Sequence, residues 1–372
     1  MIRQITAAQG KAFLHGTQEV AFLDLREAGP YSQGHPLFAT HCPFSLLEEL
    51  IGGLVPRMTV AILLIDGGDG IAEVGARAMS GMGYRDIQVV QGGTPAWAEA
   101  GFTLYQGVNV PSKTLGELVE HIWKPEMIDP PTLAAWQAAG RDFAFFDCRP
   151  APEFSKMTVP GAVCLPNGEL AHRLAALEFD GPIVLTCAGR TRGVIGAAGL
   201  SMICPEREVY ALENGTQGWR LAGFDLALDN DPAPFPEMTQ AAADTTRRMA
   251  NDLLAAGNIA SVDADAVAKM RADPDRTTFL IDVRSAQEVA QDPLPAFAHA
   301  LSGQLVQATD QWIGVRRSRV VLADDLGLRA GLAAFWLRLL GFETCVTKVN
   351  HALRALPVIR GPDRPKARVD SC

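Results

Sequence analysis

No apolar run in the 372-residue chain approaches the roughly 18 residues that span a bilayer, so no membrane-crossing helix is expected. The N-terminal stretch MIRQITAAQGKAFLHG lacks the continuous apolar core of a signal peptide. Positive charge is in deficit, with 33 Lys+Arg against 42 Asp+Glu and a net charge of −9, which argues against a nucleic-acid surface. There is no C-x-x-C pair, so neither a zinc knuckle nor a thioredoxin-type motif is available. The seven cysteines (Cys42, Cys148, Cys164, Cys187, Cys204, Cys345, Cys372) are odd in number and scattered, as expected of a reducing cytoplasm. The order G-x-G-x-x-G is absent, so the glycines of 75–83 and 196–200 read as helix–sheet packing rather than a nucleotide fingerprint. His121 and His172 have no ligand-like spacing, and no metal or cofactor is expected. With 48% hydrophobic residues the chain can build real cores, and its length suggests two or three domains.

A domain-sized repeat is present. Three apolar runs end in Asp-x-Arg: Asp24/Arg26, Asp147/Arg149 and Asp282/Arg284, at steps of 123 and 135 residues. A second apolar run follows each, ending at Asp66, Cys187 and Asp324, at offsets of 42, 40 and 42 residues. Such Val/Ile-rich runs read as strands buried on both faces. Each leads into a Gly-bearing loop, a small-residue helix and another strand, the pattern of parallel pairing with right-handed crossovers. Gly92-Gly93-Thr94-Pro95-Ala96-Trp97 closes the first repeat and Asn214-Gly215-Thr216-Gln217-Gly218-Trp219 the second. Val349-Asn350-His351-Ala352 makes the third the divergent copy. Turn-formers at 107–113 and 229–237 mark the boundaries, giving modules at 1–106, 114–228 and 240–358 and a flexible tail at 359–372.

In the second module, Thr186-Cys187-Ala188-Gly189-Arg190-Thr191-Arg192-Gly193 joins a buried strand to a helix. The backbone N–H groups of such a loop are free to converge on the Cys187 sulfur. A helix N-terminus and two arginines lower a thiol pKa by one to several units from about 8.5. A lone strand-end cysteine is ordinarily packing; the repeat register and this loop favour a nucleophile instead. Asp147 and Arg149 are expected mainly to tie the strand end, with Arg149 paired to Glu153 four residues on. Cys148 and Cys164 are candidates to close a disulfide on Cys187, but their apolar flanks favour buried packing.

Asp-x-Arg, the strand ending in Cys, the Gly/Arg loop and the Gly-x-x-x-Trp close together resemble the rhodanese family of sulfurtransferases, over nearly the whole chain. The resemblance implies an α/β fold: three tandem modules, each a mostly parallel five-stranded sheet flanked by helices. It implies ping-pong transfer of sulfane sulfur through a Cys187 persulfide, from a small sulfur-containing anion such as thiosulfate to cyanide or a thiol (glutathione or protein). Ala188, Gly189, Thr191 and Gly193 would then supply the persulfide-stabilising loop, and Arg190 and Arg192 would orient and neutralise the donor. The spacing C-x4-R is one residue shorter than the C-x5-R of the phosphatases related to this fold, and the narrower cradle suits sulfur better than phosphoryl. Asp66 and Asp324 replace the cysteine in the other modules, so both are expected to be inactive. The alternative is a sulfur-relay or sensing protein fed by a protein or glutathione persulfide, with the inactive modules used for docking. A non-catalytic scaffold is the remaining reading.

Overall fold

The computed structural model describes residues 2–358; the tail at 359–372 lies outside them. Within those residues, three sheets repeat one spatial order of five parallel strands. In the first sheet the order is Ile2–Ile5, Ile87–Val90, Ala61–Ile65, Val20–Asp24, Thr40–His41. The second runs Glu126–Ile128, Val209–Leu212, Ile183–Thr186, Ala144–Asp147, Val163–Cys164. The third runs Ala260–Val262, Glu343–Lys348, Arg319–Asp324, Thr278–Asp282, Ala298–His299.

The apolar runs read from the sequence are the middle strands. Helices cover both faces there, so no polar alternation survives, and Leu64, Val184, Leu185 and Val321 are fully buried. Each such side chain contributes about 1.5–3 kcal/mol of burial. After each middle strand comes a helix: Ile71–Gly81, Thr191–Ile203 or Leu328–Leu339. The second ends at Ile203 because Pro205 cannot continue it. Residues 229–239 carry neither helix nor strand, and Thr239 then caps Gln240–Ala256 by accepting from the Ala242 amide.

The modules are packed together. The helix Val110–Trp123 lies along Thr191–Ile203, and Trp123 meets Phe335 and Trp336 edge-on. Leu23, Val119, Ile195 and Leu322, from all three parts of the chain, belong to one apolar core. A short strand of the third module, Val315–Arg316, pairs antiparallel with Ala21 and Val20 and extends the first sheet. Beside it, Glu19 accepts from Arg57, Arg276 and the Thr277 amide.

Candidate active site

Cys187 follows the last residue of the middle strand and precedes the helix by a three-residue turn. Its sulfur sits beneath the loop, 2% exposed, while Ala188, Gly189 and Thr191 are half-exposed and Arg190 is exposed. The Gly193 amide donates to Sγ at 3.4 Å. From behind, the turn Asn214-Gly215-Thr216 holds the loop: the Thr216 amide donates to the Cys187 carbonyl at 2.8 Å and the Gln217 amide to the Ala188 carbonyl at 3.2 Å. Gly215 has φ +53°, and a Cβ there would collide with the Cys187 carbonyl, so the position requires glycine.

The corresponding loops of the outer modules hold a carboxylate where the middle module has its thiol. Asp66 takes amides from Gly68, Gly70 and Ala72 at 2.8, 3.1 and 2.9 Å. Asp324 takes amides from Asp325, Gly327, Arg329 and Ala330 at 2.9–3.3 Å. Ala72, Ala330 and Gly193 all lie six residues after the Asp or Cys. In the outer modules a carboxylate therefore fills the anion site from within; in the middle module a thiol stands at its edge. In the outer modules those amides are already taken by the aspartate.

The thiol's electrostatics follow from its neighbours. The neighbouring Cys148 thiol brings the Cys187 pKa down to about 7; burial opposes this, while the Arg192 charge and the Gly193 and Gly189 amides assist. Burial, then the same interaction with Cys187, pushes Cys148 well up. Arg192 is itself buried and forms a bidentate pair with Glu153 at 2.6 and 2.7 Å, plus a hydrogen bond to Gln304 of the third module at 2.9 Å. Arg190 turns outward to Glu117 and Glu120 on the helix Val110–Trp123. Both loop arginines thus already hold carboxylates, which the sequence reading did not anticipate. The helix Val110–Trp123 and the third module both wall the loop.

Asp147 and Arg149 form a clamp at the strand end. Arg149 pairs with Asp147 in bidentate fashion at 2.6–3.1 Å and donates to the Met157 carbonyl. Arg26 and Arg284 repeat the clamp with Asp24 and Asp282 and with carbonyls eight residues on, Gly34 and Asp292. The clamp is common to modules with and without the cysteine. Arg149 does not pair with Glu153 as expected, because the helix begins at Ala151 and Arg149 lies outside its i,i+4 geometry. Cys148 and Cys164 are buried; the Cys148 thiol donates to the Thr186 carbonyl at 3.0 Å. Elsewhere the fold assembles a cluster invisible in sequence spacing: His172, Asp324 and Asp325 lie within 4.8 Å of one another. The Arg329 guanidinium occupies it, 2.9 Å from Asp324 and 2.7 Å from Asp325.

A family model of the rhodanese-like domain matches residues 6–100 and 129–222. The chain is similar to the crystal structure of a thiosulfate sulfurtransferase from Pseudomonas aeruginosa, 34% identical, with a TM-score of 0.92, covering 98% of this chain and 70% of that one. It is also 40% identical over 80 residues to an HTH-type transcriptional regulator of Mycobacterium tuberculosis. That match takes in 22% of this chain and 35% of the regulator, so the likeness spans about a third of that relative's length. By the two domain matches and the near-complete superposition on a relative above 30% identity, this chain belongs to the rhodanese-like domain family.

Proposed function

We propose that the protein is a sulfurtransferase in which Cys187 carries sulfane sulfur as a persulfide. The observation that carries this reading is the cradle: a thiol held towards its thiolate at an amide-lined anion site that the other two modules fill with their own carboxylates. With thiosulfate as donor, the Cys187 thiolate attacks the outer sulfur. The S–S bond of thiosulfate breaks, sulfite departs with the electron pair, and Cys187–S–S⁻ remains. Loop amides disperse the charge on the outer sulfur. Cyanide or a thiolate then attacks that sulfur, and the Cys187 thiolate is regenerated. Asp147 and Arg149 hold the strand end from which the loop springs.

A second reading has an observation of its own. Arg190 and Arg192 are matched by Glu117, Glu120 and Glu153, so little uncompensated positive charge remains for a dianion. This favours a persulfide donor, from glutathione or a protein, over thiosulfate. Intact-mass measurement after exposure to each donor tests both. A gain of about 32 Da that disappears in Cys187→Ser is expected. Equal uptake by Cys187→Ser removes the assignment, and kcat/KM for thiosulfate against glutathione persulfide decides the donor.

A further inference from the structure

The middle module carries a second thiol against the first. The strands Ala144–Asp147 and Ile183–Thr186 are parallel, with Asp147 opposite Thr186. The Cys148 amide closes that last rung by donating to the Thr186 carbonyl at 2.9 Å, and the Cys148 thiol reaches the same carbonyl at 3.0 Å. Cys148 and Cys187 each follow a member of that last pair, so the two thiols leave adjacent strand ends side by side, with the Cys148 sulfur against the carbonyl that precedes Cys187. Adjacent strands lie about 4.8 Å apart, inside the Cα separation of about 4.4–6.8 Å that a disulfide accepts. Both sulfurs are buried, so one reaches the other more readily than any outside thiol does. The pair is confined to this module. Leu25 and Val283 stand at the equivalent of Cys148, one residue after the clamp aspartate, just where Asp66 and Asp324 stand at the equivalent of Cys187.

We propose that Cys148 is the resolving thiol of this site, converting a Cys187 persulfide that finds no acceptor into an internal disulfide with release of sulfide. The inference rests on the persulfide reading above. In this step the Cys148 sulfur attacks the inner sulfur of Cys187–S–S⁻. The Cys148–Cys187 bond forms and the persulfide S–S bond breaks. The outer sulfur leaves as HS⁻ with the electron pair of the broken bond and the proton of the Cys148 thiol. Cys148 is oxidised and the outer sulfur reduced, so the persulfide is its own oxidant. The disulfide silences the site until a reducing thiol reopens it, which gives the enzyme a sulfide-releasing activity that switches itself off.

The test loads the full chain with one equivalent of glutathione persulfide, removes the excess, and follows intact mass and free sulfide with time. Wild type is expected to pass from about +32 Da to about −2 Da while releasing one equivalent of sulfide. Cys148→Ala, and Cys148→Val, which copies the third module, are expected to hold the +32 Da species at least about tenfold longer. Persistence of that species in wild type for as long as in the variants overturns the proposal. So does a −2 Da product appearing equally in the variants, which would place the second thiol elsewhere. A chain that takes up no sulfur even as Cys148→Ala overturns the persulfide reading itself, and this inference with it; a chain that loads and never resolves overturns this inference alone.

Discussion

The Cys187 sulfur is nearly inaccessible yet held towards its ionised form. Burial by itself favours the neutral thiol, but here the neighbouring Cys148 thiol, the Arg192 charge and two amides outweigh it. Because the thiolate is the reactive species, alkylation of Cys187 is expected to rise as pH climbs through about 7, not through the ordinary thiol range. Arg192→Gln removes one of the favourable charges and should move that midpoint upward by about one unit. Iodoacetamide labelling across pH, read by mass at Cys187, measures both. A midpoint unchanged in the variant would show that the guanidinium is spent entirely on Glu153.

The strand–loop–helix element was legible because its apolar run, its Gly-rich turn and its register recur three times. The buttress behind it was legible only as a motif. Gly215→Ala tests its physical role. A side chain at φ +53° is strained, and its Cβ would push the Cys187 carbonyl out of place. The variant should lose about 2–4 kcal/mol in denaturant unfolding and lower sulfur uptake at Cys187 in the fraction that remains folded. Wild-type stability and uptake would show that the turn does not hold the loop. What the sequence could not reveal were contacts from distant segments. Glu117, Glu120 and Glu153 reach the loop arginines across 73, 70 and 39 residues, and no local spacing encodes those pairs. The expected Arg149–Glu153 pair failed for a local reason, a helix starting two residues too late. The Asp-for-Cys exchanges were visible in the sequence; that each aspartate satisfies its own loop's amides needed coordinates.

Across the whole molecule, the seam between the second and third modules is ionic as well as apolar. Arg329, fully buried, links Asp324 and Asp325 to Glu169 and Glu288. Burial, with the Arg329 charge, brings the His172 pKa down to about 4. For Glu288, burial would raise the carboxyl, but the bond and charge of Arg329 prevail and hold it at about 2. The unfolded chain thus binds protons at His172 below about pH 6.5 and at Glu288 below about 4.5, before the folded chain does. Stability is expected to fall between pH 6.5 and 4 from His172, and further between 4.5 and 2 from Glu288. A Tm that stays flat from pH 6.5 to 4 would contradict this. Arg329→Met leaves carboxylates buried without their cation and should cost about 3–5 kcal/mol at pH 7, a deficit that narrows in acid as those groups take up protons.

The short antiparallel rung formed by Val315 and Arg316 on Ala21 and Val20 has a topological consequence. It fastens the beginning of the polypeptide to its last third, so a linear chain behaves mechanically as a closed loop with the thiol-bearing unit clasped between its ends. Cutting either linker would open one hinge of that loop and leave the clasp shut, and the three units cannot drift apart as independent beads would.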